Sequence, residues 1–351
     1  MTNYRDILRR LALGNEVGFR ELEELVALVG DERVLDYVRG LAREVRTEWF
    51  GNKVFIRGLV EISNRCSGGC YYCGLRAENC KVTRYELSDD EVMESCRVGY
   101  GLGLRSFVLQ GGERKSITEQ TARVVRRIKE EMPDVAVTLS LGEQSRETYE
   151  CWRMAGADRY LLRHESATPE HYATLHPERM VWEERVACLG VLAELGYQIG
   201  AGFMVGTPGQ TTAMLAHEVE FLAEMAPQMV GIGPFIPQSD TPLGNMPRGS
   251  VEQTLMMLSL VRIALPKALM PSTTALATTA EQGTHLGILS GANVVMPNIT
   301  PAQYRASYAI YDGKKSSGTE AAEGLEKLVR ELRAIGYEAT FGRGDHPDFQ
   351  R

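Results

Sequence analysis

Short apolar segments of β type alternate eight times with helical patterns along this chain of 351 residues. Such an alternation is typical of parallel strands joined by helical crossovers. We therefore predict an α/β fold, a (β/α)8 TIM-type barrel, with an open doubly wound sheet as the alternative. The predicted strands are 54–62, 105–110, 135–141, 158–163, 197–205, 229–235, 269–274 and 293–297, and the helical stretches are 89–101, 118–132, 145–155, 182–195, 211–225, 251–265 and 280–289.

Both ends of the chain lie outside this alternation. No internal repeat, low-complexity tract or Pro/Ser-rich linker marks a second domain. We predict that residues 1–50 form an N-terminal helical extension and that residues 51–351 form the barrel with a C-terminal cap. Within the cap, 318–343 reads as a final helix followed by a short strand.

The composition excludes several classes of protein. A hydrophobic content of 44% with 24% charged residues is typical of a globular protein with a sizeable core, and no apolar stretch reaches the length of a membrane span. The net charge of −7 argues against a nucleic-acid partner. The polar start of the chain resembles a helix more than a signal peptide, so we expect a cytoplasmic protein with neither a nucleic acid nor a membrane as its partner.

Unusual residues follow the predicted strands. Chemistry in a (β/α)8 barrel lies at the carboxyl ends of its strands. A cysteine-rich loop follows the first strand, and the three sequences QGGE at 110–113, SLGE at 140–143 and RHES at 163–166 follow the next three. The sequence therefore predicts one site at this end of the barrel, with Ser140 among its candidates.

Cys66, Cys70 and Cys73 form a Cys-x3-Cys-x2-Cys run on a loop with two adjacent glycines. Cysteine thiolates are the usual ligands of iron–sulfur clusters. Three ligands to a 4Fe–4S cluster leave one iron open, which is what a catalytic metal site needs. The alternative is a zinc site completed by Cys80, although zinc sites more often show two separated pairs.

The spacing CxxxCxφC, with Tyr72 as the aromatic residue φ, resembles that of the radical S-adenosylmethionine (SAM) superfamily. The resemblance implies two cofactors, one 4Fe–4S cluster and SAM, whose amino and carboxylate groups bind the open iron. It also implies that SAM is cleaved to a 5′-deoxyadenosyl radical and that Tyr72 packs near the adenine.

Longer segments are similar to the HydE family of FeFe-hydrogenase maturases. They include FVLQGGE, VTLSLGE, GADRYLLRHESA, GAGFMVGTPGQT, MVGIGPFIPQSDTPL and GANVVMPNITPAQYR, so the resemblance extends over nearly the whole chain. It implies an enzyme of hydrogenase active-site maturation that acts on a small iron–cysteine complex carrying CO and cyanide. Transient contact with other maturases and with an electron donor is also implied. The SAM-binding residues implied by the resemblance are Gly111, Gly112, Glu113, Ser140, Glu165 and Arg185.

A second group of residues is predicted to form the substrate cavity. Arg57 lies in the middle of an apolar strand, where a buried charge is costly unless it is paired or binds an anion. Arg163 ends the fourth strand in the same way. The alternative for both arginines is a salt bridge, with Glu61 or Glu143 as the partner. The full predicted cavity is Arg57, Arg163, Thr273, Thr274, Met296 and Tyr304.

The chain departs from the HydE pattern near its C-terminus. Some members of that family carry an accessory cluster on three further cysteines, but this chain has no cysteine after Cys188. Three alternatives stay open: a radical SAM mutase like methylornithine synthase, a HydE-like enzyme with another small amino-acid-derived substrate, and a non-catalytic Fe–S or zinc scaffold. Radical addition and hydrogen abstraction also stay open. The remaining thiols, Cys80, Cys96, Cys151 and Cys188, read as core or surface residues.

Overall fold

The computed structural model describes residues 4–314 and 321–349. Its strands are Lys53–Ile56 (β1), Gly58–Ser63 (β2), Ser106–Gly111 (β3), Ala136–Ser140 (β4), Arg159–Leu161 (β5), Gln198–Val205 (β6), Met229–Pro234 (β7), Val294–Val295 (β8) and Glu338–Thr340 (β9). Its α-helices are Tyr4–Ala12 (α1), Phe19–Ala27 (α2), Glu32–Phe50 (α3), Asp89–Gly101 (α4), Thr118–Glu131 (α5), Arg146–Met154 (α6), Pro169–Leu175 (α7), Trp182–Glu194 (α8), Thr212–Met225 (α9), Val251–Ala264 (α10), Thr274–Thr279 (α11), Gly283–Ile288 (α12), Ala302–Arg305 (α13) and Ala321–Ala334 (α14).

The sheet closes on itself. Strands β2 to β7 pair in parallel in their chain order. Hydrogen bonds then continue the ring: Val230 N–H donates to the Leu269 carbonyl, Asn293 N–H to the Met270 carbonyl, and Leu59 N–H to the Pro297 carbonyl. The predicted (β/α)8 barrel is therefore confirmed, and the open sheet is excluded because no strand of the ring is left at an edge.

Local chemistry explains two differences from the predicted strands. The predicted strand 269–274 is cut short because the Thr273 hydroxyl accepts from Leu276 N–H and caps α11, so Thr274 is helical. The predicted strand 54–62 divides at Arg57 into β1, which pairs with β8 and β9, and β2, which pairs with β3. Helix α7 was not predicted. Of the predicted segment 318–343, residues 318–320 lie outside the described residues.

Hydroxyl side chains cap the start of two of the outer helices. Ser88 accepts from Glu91 N–H while the Glu91 carboxylate accepts from Ser88 N–H, which forms a capping box at α4. The Thr211 hydroxyl accepts from Met214 N–H and caps α9. These caps place the helix N-termini at the same end of the barrel as the loops that carry the cysteines.

Helices α1, α2 and α3 pack against the outer helices of the barrel, with α2 on α9 and both α1 and α3 on α10. Apolar side chains such as Leu8, Leu25 and Val38 are fully buried there. The division of the chain into an extension of residues 1–50 and a barrel stays a prediction. Among the described residues, no helix is both long and apolar enough to cross a membrane.

The C-terminal segment 341–349 closes the amino end of the barrel. Arg159, at the start of β5, is fully buried and donates to the Asp345 carboxylate at 2.6 Å. Asp345 also accepts from Arg343 at 2.8 Å and from the Gln198 amide at 3.0 Å. Burial alone would raise the pKa of Asp345, but the Arg343 hydrogen bond and the Arg159 charge outweigh it and lower the pKa.

We expect Asp345→Asn to lower the free energy of unfolding by about 3 kcal/mol, because it leaves the buried Arg159 without its carboxylate. The folded pKa of Asp345 is depressed, so its contribution is present above the unfolded pKa of about 4 and is lost as the pH falls through the folded value. Urea unfolding at pH 7 and pH 3 measures both effects. Asp348→Asn, which breaks an exposed pair with Lys267, is the control and should cost less than about 1 kcal/mol. Equal losses in the two variants would contradict this role for Asp345.

Candidate active site

The three cysteines lie on the loop between β2 and α4, and two buried glycines shape it. Gly68 N–H donates to Cys66 Sγ at 3.3 Å. A Cβ on Gly68 would stand 3.3 Å from Cys66 Sγ and 3.9 Å from Cys70 Sγ. A Cβ on Gly69 would meet Arg179 at 2.5 Å. The loop therefore brings sulfur atoms together around backbone that has no room for side chains.

The arrangement fits a cluster better than a single metal ion. Cys66, Cys70 and Cys73 are all partly accessible, whereas the core thiol of Cys96 is buried. Among residues 4–314 and 321–349, no three His, Cys, Asp or Glu side chains converge closely enough to hold one metal ion. A 4Fe–4S cluster binds each cysteine to a different iron, so its sulfurs need not meet at one point. Three partly accessible thiols on one short loop are what such a cluster needs.

The surroundings of the three thiols favour their protonated form. Burial raises the pKa of Cys66, raises that of Cys73 to about 12, and raises that of Cys70 well above its ordinary value. The neighbouring thiols act in the same direction on Cys70 and Cys73. Arg185 opposes the shift at Cys70. Because the ligand form is the thiolate, binding of iron must displace these protons, and the positive charge of the iron compensates the burial.

The QGGE turn packs directly on the cysteine loop. A Cβ on Gly112 would stand 2.3 Å from the Arg65 carbonyl oxygen and 2.7 Å from Cys66 Cβ. Ser67 N–H donates to the Glu113 carbonyl at 2.8 Å. Position 112 therefore has no room for a side chain, and its backbone lies against the cysteine loop.

Glu113 and Ser140 meet at the same end of the barrel. The Glu113 carboxylate accepts from Glu143 N–H at 2.8 Å, and burial raises its pKa. Ser140 ends β4 beside Gln110 of β3, next to Gly111. The structure thus brings the residues after β3 and β4 to the edge that carries the cysteines.

Buried charges converge where the chain leaves β5. Arg185 of α8 is 10% exposed; it donates to the Arg163 carbonyl at 2.7 Å and to Glu143 at 2.6 Å, and it lies 4.0 Å from Glu165. Arg163 contacts Glu165 at 3.1 Å. Burial lowers the pKa of Arg185, but Tyr172, Glu165 and Glu143 outweigh it and raise the pKa well above its ordinary value. Arg163 and Arg185 therefore both stay charged beside the cysteine loop.

The ion pairs of the structure can be compared with the alternative that Arg57 and Arg163 form salt bridges with Glu61 or Glu143. Arg163 pairs with its near neighbour Glu165, while Glu143 pairs with Arg185 instead. Glu61 pairs with Lys314. The Arg163 side chain nevertheless keeps 32% of its surface accessible, although Glu165 beside it keeps only 6%.

Tyr72 has a partner that the sequence reasoning missed. Its hydroxyl lies 3.3 Å from His176 Nε2, while His176 Nδ1 lies 2.9 Å from the Tyr172 carbonyl oxygen. Burial lowers the pKa of His176 to about 3, so the ring is neutral, with its proton on Nδ1 and Nε2 as an acceptor for Tyr72. A histidine between two helices carries no motif, so only the tertiary structure identifies this contact.

The interior of the barrel holds several of the predicted cavity residues. Two glycines of β7 leave room: a Cβ on Gly231 would lie 3.7 Å from Arg163 Cδ, and one on Gly233 would lie 2.7 Å from Thr273 Oγ1. Thr274 follows as the first residue of α11. Met296 packs on the buried group that includes Met229.

Arg57 forms no salt bridge among the described residues, although the charge of the Asp345 carboxylate acts on it and favours its protonated form. Its side chain donates to Met229 Sδ and to the Gly344 carbonyl, both at 3.2 Å, and its Nε has no hydrogen-bond acceptor. Burial lowers its pKa strongly, and the like charge of Arg159 adds to the shift. An unpaired buried guanidinium of this kind favours an anion or a dipolar ligand.

The structure corrects the prediction for Tyr304. Its hydroxyl donates to Glu91 at 2.8 Å, at the start of the outer helix α4, and its ring stacks on Tyr85. Two later tyrosines lie closer to the site. Burial and the nearby Glu61, Tyr85, Cys73 and Cys66 raise the pKa of Tyr308, and the pKa of Tyr311, raised by burial to about 12, is lowered in part by Arg163. The short helix α13 turns Tyr304 outward, which the sequence pattern did not reveal.

Comparison with known proteins adds independent findings. Residues 60–222 match the model of the Radical SAM superfamily. The chain is 45% identical over 296 residues to the "[FeFe] hydrogenase maturase subunit HydE" of Thermotoga maritima, covering 84% of each chain. It is 27% identical over 326 residues to the 3-methylornithine synthase of Methanosarcina barkeri, covering 92% of this chain and 90% of that protein.

Solved structures show the same architecture. The crystal structure of methylornithine synthase (PylB) superposes with a TM-score of 0.82 at 25% identity and covers 95% of this chain and 97% of its own. The FeFe-hydrogenase maturase HydG from Carboxydothermus hydrogenoformans superposes with a TM-score of 0.80 at 21% identity, covering 96% and 79%. At that identity the HydG likeness concerns the fold alone.

Proposed function

Because this chain belongs to the HydE family within the radical SAM superfamily, we propose that it acts in the maturation of the FeFe-hydrogenase active site. The predictions of an enzyme and of one 4Fe–4S cluster with SAM as cofactors are confirmed by this membership. The alternative of a non-catalytic scaffold is wrong for the same reason.

The observation that carries the proposal is the convergence of charged residues on the cysteine loop. We assign the cluster to Cys66, Cys70 and Cys73. When bound, the reduced cluster supplies the electron that cleaves SAM to methionine and a 5′-deoxyadenosyl radical. The Gly112–Glu113 turn borders Cys66, and the Glu113 carbonyl already accepts from Ser67, so the Gly112 carbonyl is the one proposed to accept from an ammonium group.

Arg185 and Glu165 have separate tasks in this proposal. Arg185 holds the methionyl carboxylate, since a guanidinium binds a carboxylate through two parallel hydrogen bonds. Glu165 balances the charge of both Arg163 and Arg185 and faces the same space. The walls of the closed barrel exclude water from the reacting groups.

The substrate is proposed to be a small anionic complex, held deeper in the barrel. The unpaired guanidinium of Arg57 and the accessible surface of Arg163 both offer positive charge to it. Thr273 borders the gap left by Gly233 and offers a hydroxyl. These features suit an iron–cysteine complex with CO and cyanide ligands. They also suit a free amino acid, and two substrate assays distinguish these two substrates.

We further propose a cytoplasmic location and transient contact with other hydrogenase maturases and an electron donor. The sequence similarity to HydE supports the maturation context of these contacts. Retention of a purified partner maturase on the immobilised protein, in the presence of substrate, measures such contact. If the partner maturase is not retained at micromolar concentrations, stable contact between the two proteins is excluded.

The chemistry is tested first by anaerobic reconstitution with iron and sulfide, followed by electron paramagnetic resonance with and without SAM. We expect a 4Fe–4S signal that shifts when SAM is added, together with formation of 5′-deoxyadenosine. Bound zinc in place of iron, or a signal indifferent to SAM, would refute the site assignment.

The substrate is tested by two assays on the same preparation. One supplies the iron–cysteine complex and the remaining maturases and measures activation of an apo-hydrogenase. The other supplies lysine and measures methylornithine, the product expected of the mutase alternative. Hydrogenase activation without methylornithine supports the proposal, whereas methylornithine alone overturns it.

A further inference from the structure

A second buried acid lies behind the turn that carries Glu165. Glu218 of α9 has no exposed side-chain surface, and neither has His164. The Glu218 Oε2 atom lies 2.7 Å from His164 Nε2, and its Oε1 atom accepts from Ala167 N–H at 2.8 Å. One carboxylate thus binds both ends of the segment 164–167, with Glu165 between them.

The turn needs such support because Glu165 has a costly backbone conformation. Its φ of 67° lies in the left-handed region, which residues other than glycine seldom adopt. This conformation costs of the order of 1–3 kcal/mol and persists only when the surroundings enforce it. It sends the His164 side chain outward, to Phe221 and Glu218, while the Glu165 side chain points inward to Arg163.

The hydrogen bonds define the state of His164. Gly202 N–H donates to Nδ1 at 3.2 Å, so Nδ1 is the acceptor and Nε2 carries the proton that is donated to Glu218. Glu165 N–H in turn donates to the Gly202 carbonyl at 3.0 Å. Strand β6 and helix α9 therefore hold the turn from two sides.

We infer that Glu218 is a positioning residue for SAM binding, acting through His164 and Ala167 to hold Glu165 in the left-handed conformation that directs its carboxylate to Arg163 and Arg185. This inference depends on the proposed role of Glu165 in the SAM site. The hydrogen bonds of Glu218 go to His164 and Ala167, so its effect on SAM passes through residues 164–167.

The test compares Glu218→Gln with Asp158→Asn. Asp158 is a matched control because it lies just before β5, at the opposite end of that strand, and its carboxylate accepts from Lys129 and Val137 N–H, both at 2.8 Å, as well as from Arg343 at 2.9 Å. A glutamine at position 218 cannot accept from both His164 and Ala167, since one of its terminal atoms is a donor. Three quantities are measured on reconstituted protein: iron content, thermal unfolding, and the Kd for SAM from the spectroscopic shift.

We expect Glu218→Gln to weaken SAM binding about tenfold or more at unchanged iron content, whereas Asp158→Asn lowers the unfolding temperature without changing the Kd. Glu165→Gln sets the scale of a direct loss. If Glu218→Gln does not fold, Glu218→Asp keeps the charge but shortens the reach, and the same weakening is expected. An unchanged Kd in a folded Glu218 variant overturns the inference while leaving the function intact. Absence of SAM binding in the unaltered protein would instead contradict the proposed function.

Discussion

Replacing Cys70 by alanine is expected to abolish both cluster binding and SAM cleavage. Cys70 is one of the three ligands proposed for the cluster, and its sulfur lies with that of Cys66 around Gly68. Two cysteines cannot hold the cluster with one open iron, so the iron content should fall from about four per chain to near zero. Iron analysis and the yield of 5′-deoxyadenosine after anaerobic reconstitution measure the result.

Cys80→Ala is the matched control for this variant. Cys80 follows on the same loop but is exposed and outside the triplet. It should keep its iron and its full rate of SAM cleavage. If instead Cys80→Ala lost the metal as Cys70→Ala does, the site would hold four cysteine ligands, and the open iron that SAM needs would be ruled out.

Arg57→Met is expected to make the protein more stable and its substrate chemistry much slower. Arg57 is 4% exposed, and among the described residues its side chain hydrogen-bonds to a thioether and a carbonyl at 3.2 Å and forms no salt bridge. Replacing an unpaired buried charge by an apolar side chain of similar length should raise the free energy of unfolding by about 1–2 kcal/mol. Loss of the guanidinium that is proposed to bind the anionic substrate should slow substrate conversion about a hundredfold, since a charged hydrogen bond contributes up to about 3 kcal/mol.

The measurements are urea unfolding, SAM cleavage without substrate, and substrate-dependent turnover. SAM cleavage should change less than about twofold. The reason is that Arg57 donates to the Gly344 carbonyl at the amino end of the barrel rather than to the cysteine loop. Arg159→Met is the control, since it breaks the pair with Asp345 and should lower stability by about 3 kcal/mol. Turnover that survives in Arg57→Met would remove Arg57 from the substrate site.

Arg163 illustrates how far a role can be assigned from one sequence. The sequence places Arg163 in the substrate cavity, separate from the SAM residues. In the structure its guanidinium contacts Glu165 at 3.1 Å and its carbonyl accepts from Arg185, so it touches two of the residues predicted to bind SAM. The pattern of a charged residue at a strand end identified the position, but only the tertiary structure shows which acid it meets.

The sequence by itself determined the barrel and the metal loop. Eight alternations of strand and helix leave few ways to bury parallel strands on both faces, and β6 and β7 are buried throughout. The cysteine spacing and the Gly-Gly turn are local features, so their chemistry is readable from adjacent residues. The capping hydroxyls of Ser88 and Thr211 were readable for the same reason.

Only the tertiary structure decided the pairings between distant residues. The barrel closure brings Glu218 to His164, Asp345 to Arg159 and His176 to Tyr72, although each pair is separated by more than fifty residues. The outward turn of Tyr304 belongs to the same class, because it depends on the short helix α13 and on Glu91 of α4. Side-chain direction and ion-pair partners follow from packing in three dimensions, and no spacing along the chain encodes them.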